Sequence, residues 1–95
     1  MDMINLEEIF CKAKLLDKKY ISLKINIKEY PSEEVIIIQN TNFDSKLRYY
    51  KEIYDYELNH KYVGGIKIID CTSGNDFKEI ELSLEWRFKL IFNRK

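Results

Sequence analysis

The sequence predicts an α+β fold in the order αββαββ: a four-stranded, mostly antiparallel sheet with two helices packed on one face. Three observations predict it. Apolar residues recur at helical spacing in two separate stretches, within residues 5–19 and 43–58. Between and after them the apolar period drops from about 3.6 to about 2, the mark of strands. The one alternating strand that is clean, YISLKINIK, is apolar on one side only, which is the habit of antiparallel sheets.

The chain has 95 residues, enough for one hydrophobic core and too few for two, so residues 1–95 are read as a single domain. An apolar share of 45% with one proline and three glycines favours a packed globule over disorder.

The first helix has several start signals. Asn5 is expected to cap it, with Glu8 three residues on and Ile4 and Ile9 spaced as a hydrophobic staple. Glu7 and Glu8 then lie at the positive end and Lys18 and Lys19 at the negative end. Leu6, Ile9, Phe10, Ala13 and Leu16 form the buried stripe. In the strand that follows, Ile21, Leu23, Ile25 and Ile27 point inward, and Tyr20, Ser22, Lys24, Asn26 and Lys28 form a wet face. A turn at EYPSEE leads to EVIIIQN, apolar on both sides and therefore expected to be central in the sheet or covered on each face.

Thr41 and Asp44 read as the capping box of the second helix. At about 100° per residue Phe43, Leu47, Tyr50, Tyr54 and Leu58 share its core sector. A strand over residues 61–71 follows, with a bulge or bend at Gly64 and Gly65 and a turn at TSGND. In residues 77–92 the even positions from Ile80 to Phe92 are all apolar, which predicts a last strand. KKYISLKI and HKYVGGIKI resemble each other 42 positions apart, each after a helix, so the chain reads as two αββ units.

Sixteen residues in one strand would extend roughly 50 Å, against a width of about 30 Å for a compact chain of this size. A strand that projects with Trp86, Phe88, Leu90 and Phe92 on one face needs a cover. A second copy paired across a two-fold axis supplies it, so these four residues are the expected homodimer interface.

The 16 basic and 16 acidic residues cancel, which argues against a nucleic-acid glove or a DNA mimic at the level of the whole chain. No basic leader or membrane-length apolar run is visible, so a cytoplasmic protein without membrane contact is expected, with Cys11 and Cys71 as reduced thiols. No phosphate loop, dinucleotide fingerprint or metal-ligand spacing occurs, and no metal or cofactor is expected. The single histidine, His60, lacks a nucleophile at recognisable spacing, so no catalytic residue is assigned and no enzyme is expected.

Two contact surfaces stand out. Five of the seven tyrosines fall within residues 49–62, and two of them, Tyr49 and Tyr56, are surplus to the predicted core. With Ile53, His60 and Arg48 they form the expected partner-binding face, since Tyr and Arg give large contact area at low rotamer cost. The alternative is a nucleic-acid-binding regulator that uses Tyr20, Lys24 and Lys28 with Arg87 and Lys89 on a basic sheet face. The expected function is therefore a small non-enzymatic protein-binding module. Its size and Ile- and Lys-rich composition suit an inhibitor or accessory protein of a Gram-positive bacterium, phage or mobile element, of the anti-defence or anti-CRISPR type, that occupies a surface of its target.

Overall fold

The structure is a computed structural model that describes residues 1–29, 33–76 and 80. Among these residues it is α+β, with two α-helices, Met3–Leu15 and Phe43–Ile53, and a three-stranded antiparallel sheet. The elements are α1 (Met3–Leu15), β1 (Tyr20–Ile27), β2 (Glu34–Gln39), a 3-10 turn (Asn40–Asn42), α2 (Phe43–Ile53) and β3 (Ile66–Gly74). The strand order is β2-β1-β3, so β1 is central.

Helix α1 begins earlier than its sequence suggests. Asp2, not Asn5, is the N-cap; its carboxylate accepts from the Asn5 N–H at 2.9 Å while the Asn5 side chain accepts from the Asp2 N–H at 2.9 Å. This reciprocal pair satisfies two donors that the helix leaves open. The expected stripe holds at Leu6, Ile9, Phe10 and Ala13, and the earlier start adds Met3 to it, whereas Ile4 stands exposed. The helix stops because Asp17 turns left-handed (φ 52°). Its N–H donates to the Lys14 carbonyl, and the Lys18 N–H to that of Ala13, a Schellman closure that leaves Leu16 outside the core.

In the sheet, Ile21 pairs with Ile38, and Leu23 lies between Ile36 and Cys71. Lys24 pairs with Asp70 but Ile25 with Ile68, so Ile69 is an extra residue in β3. This bulge is where the apolar phase of IKIIDC changes, and it keeps Ile68 and Cys71 on the same inward face. The bend expected at Gly64 and Gly65 is present as a turn with Gly65 at φ 84°, while the bulge itself is at Ile69. One expectation is corrected: β3 runs through Thr72 and Ser73, where a turn is predicted. Strand β2 lies at the edge of the sheet among the described residues, not at its centre.

Phe10 holds the helices together. Its ring meets Phe43 edge-on at 6.1 Å and Tyr50 at 6.4 Å. Ion pairs Lys14–Asp44 at 2.6 Å and Lys51–Glu7 at 3.2 Å flank this contact. All four partners are substantially exposed, so they align the helices more than they stabilise them. The predicted cap of α2 does not form: its N-cap is Asn42, without a side-chain hydrogen bond, and the preceding 3-10 turn does the winding.

The predicted last strand over residues 77–92 lies outside the described residues except at Ile80. That residue is buried and helical, its N–H 3.4 Å from the Asp76 carbonyl, where strand is predicted. Trp86, Arg87, Phe88, Lys89, Leu90 and Phe92 lie outside the described residues as well.

Gly65 is the one glycine whose backbone demands it, at φ 84°, and a Cβ there would sit 2.9 Å from the Lys28 Cβ. Gly64 has open space around its Cβ position. Gly65→Ala is expected to lower stability by about 1–3 kcal/mol, and Gly64→Ala to change it by less than about 0.5 kcal/mol. Paired urea titrations check both.

Candidate functional site

The predicted tyrosine face depends on where α2 ends. Tyr54 leaves the helix in extended conformation (φ −108°, ψ 146°). The chain then turns through residues 55–58 and returns as a narrow hairpin in which Tyr54 bridges His60. Asp55 drives the turn: one of its carboxylate oxygens accepts from the N–H groups of Glu57 at 3.0 Å and Asn59 at 2.9 Å. Leu58 sits at φ 66° and is fully buried, so it remains a core residue without belonging to the helix. His60 likewise lies beyond the end of α2, in the returning arm of the hairpin.

The five residues expected to share one face are therefore divided. Tyr49 (exposed) and Ile53 (half-buried against the core) lie on α2, whereas Tyr56 (exposed) and His60 (half-buried) lie in the loop. Arg48 faces elsewhere, into a shallow open depression of about 440 Å³ that it lines with Asp44, Leu47, Lys51 and Glu52. A line of edge-on rings joins the two halves: Tyr49 to Tyr50 at 5.4 Å, Tyr50 to Tyr54 at 5.9 Å, Tyr54 to His60 at 5.2 Å and His60 to Tyr62 at 6.2 Å. The middle of this line is core, and burial pushes the hydroxyls of Tyr50 and Tyr54 above the usual phenol range. They are packing groups rather than proton carriers.

The loop surface is held from several directions. His60 Nδ1 accepts from the N–H groups of Tyr62 at 3.1 Å and Val63 at 2.9 Å, which places its proton on Nε2. The Tyr56 carbonyl accepts from the Met3 N–H at 2.8 Å, and its hydroxyl donates to the Asp2 carboxylate at 3.2 Å. That carboxylate raises the Tyr56 pKa. The Asp55 N–H donates to the Asn59 carbonyl, and His60 and Leu58 pair with β3 through Ile66 and Ile68. The result presents Tyr56 (58% exposed), Tyr62 (74%) and Val63 (49%) on fixed backbone. Tyr62 and Val63 are absent from the sequence-derived face, because KYVGGIKI reads as the start of a strand; the two glycines that follow them were the available signal for a loop.

The basic sheet face is not the open surface its alternation suggests. Ser22 and Lys24 are buried, at 2% and 7% exposed, and the Lys24 ammonium lies 3.7 Å from the Asp70 carboxylate across the strand pair. Tyr20 is half-buried, Lys28 is exposed beyond the end of β1, and Arg87 and Lys89 lie outside the described residues. The expectation of a wet face on β1 is thus corrected at its centre.

Of the two thiols, Cys11 is exposed, while burial and the neighbouring Asp70 push the Cys71 thiol far above its usual range. Among the described residues no three His, Cys, Asp or Glu side chains converge as a metal site, and no helix is long and apolar enough to cross a membrane. No family model matches the chain, and no curated protein or solved structure is similar to it.

Proposed function

We propose that the protein acts by binding another protein, without chemistry of its own, through the loop that carries Tyr56, Tyr62 and Val63. The observation that supports this reading is the internal bracing of exposed aromatic groups. Tyr62 is three-quarters exposed, yet its backbone is held by His60 Nδ1 and its ring abuts the imidazole. An aromatic side chain on backbone that is already ordered loses little entropy on binding, which is the arrangement of a contact anchor. Occupation of a target's surface is the mode expected of a phage or mobile-element inhibitor of this size. Nucleic-acid binding on the β1 face has less support, because Lys24 is buried against Asp70 and is not offered to phosphate.

The test is alanine substitution at Tyr56 and at Tyr62, with affinity for the captured target measured beside thermal unfolding. Tyr62→Ala is expected to leave the unfolding midpoint within a few degrees and to weaken binding by at least tenfold. Unchanged affinity in both variants would remove the loop as the contact surface.

A further inference from the structure

Among the described residues, the outer edge of β2 carries few of the devices that keep sheet edges apart. Within Glu34–Gln39, four consecutive aliphatic residues, Val35 to Ile38, run without lysine, proline or bulge. Ile37 is 44% exposed, and no described strand pairs on that side. The opposite edge of the sheet is different, since residues 58–60 already bond to β3 along its first half. An open, flat apolar edge recruits another strand.

The helix above this edge adds to it. Helix α2 packs over β2, and Asp44 and Lys51 turn toward α1, where each is ion-paired. At about 100° per residue, the flank about half a turn away carries Lys46, Tyr49 and Ile53 and is turned away from α1, on a helix that contacts β2. Tyr49 is half exposed there, with the Lys46 ammonium 5.8 Å from its ring centre. Ile36, on the same face of the sheet as α2, and the tyrosine flank therefore form an apolar step at this edge, while Ile37 lies in line with Ser22 on the opposite face.

We propose that a second copy of this chain occupies the step, β2 pairing with β2 antiparallel across a two-fold axis to give a continuous six-stranded sheet. Three features favour a second copy over another protein. The existing sheet is antiparallel throughout, so the two-fold extends it without changing its geometry. Centred on Ile37, the pairing sets Ile36 opposite Ile38 and Glu34 opposite Asn40, so no like charges meet. The formal net charge of zero removes long-range repulsion between copies. Strand pairing alone buries too little for a stable dimer; Tyr49 and Ile53 from each copy, closing over the seam, supply the remaining apolar area. The loop with Tyr56 and Tyr62 is left free, so this interface does not depend on the proposed target surface.

Light scattering of the full chain over a range of concentrations tests it, with Ile37→Lys and Tyr49→Ala as variants on exposed positions. The expected result is a wild-type mass of twice 11.5 kDa, a monomer for Ile37→Lys, and a dimer at least tenfold weaker for Tyr49→Ala. Tyr49→Ala keeps the test valid if the lysine variant fails to fold. A wild-type monomer at millimolar concentration would overturn the proposal and leave the edge to a strand from another protein. A dimer that both variants leave unchanged would overturn it too, since its interface would lie elsewhere.

Discussion

Phe10→Ala is expected to cost about 3–5 kcal/mol, the upper range for a buried aromatic, and to lower the unfolding midpoint by about 15 °C or more. Phe10 is 2% exposed and its ring meets both Phe43 and Tyr50. It is thus the residue through which α1 reaches α2. The ion pairs on either side are too exposed to compensate. A domain of this size has only about 5–15 kcal/mol of stability in total, so the variant should be partly unfolded at body temperature. Leu15→Ala, at a position 86% exposed on the same helix, should stay within about 0.5 kcal/mol of wild type. Calorimetry of the two variants separates the packing role of Phe10 from the general effect of trimming an apolar side chain on α1, since alanine itself favours helix.

Leu58→Ala is expected to cost about 2–5 kcal/mol, and to do so by loosening the loop. Leu58 is fully buried and held at φ 66°, a conformation an L-residue adopts only when its surroundings enforce it. What enforces it is local. Its N–H donates to the Asp55 carbonyl, its own carbonyl accepts from the Ile68 N–H at 3.0 Å, and its side chain is the plug that seats the loop on the core. Shortening that side chain leaves the strained backbone without its anchor. Hydrogen exchange should therefore quicken first at Asn59 and at the Tyr62 and Val63 amides held by His60, before the sheet is affected. Uniform acceleration across β1 and the loop would contradict this order.

The fate of Leu58 also shows how far the sequence could be read. Its burial follows from helical spacing with Phe43, Leu47, Tyr50 and Tyr54, yet the helix has ended by Tyr54. Spacing alone cannot distinguish a helix from a turn that delivers the same side chain to the same core. The competing signal lay in Asp55 and Asn59, whose side-chain and backbone bonds offer the chain an alternative to another helical turn. The inward face of β1 was legible because Ile21, Leu23 and Ile25 alternate without interruption. The burial of Lys24 was not, since it faces Asp70, a residue 46 positions away whose register is set by the Ile69 bulge. For the contact surface the enrichment in tyrosine was visible and its division was not. Tyr49 and Tyr56 separate because one lies before the end of α2 and the other after it.

The claim that most depends on this geometry is that the loop is a preformed protein-binding surface. Site-specific photo-cross-linking tests it directly, with a benzophenone side chain placed at Tyr62, at Tyr56 and, as a control on exposed α2, at Glu52. The account predicts one discrete adduct of the protein with its target from positions 62 and 56, and none from position 52. Adducts of equal yield from all three positions, or from position 52 alone, would contradict it.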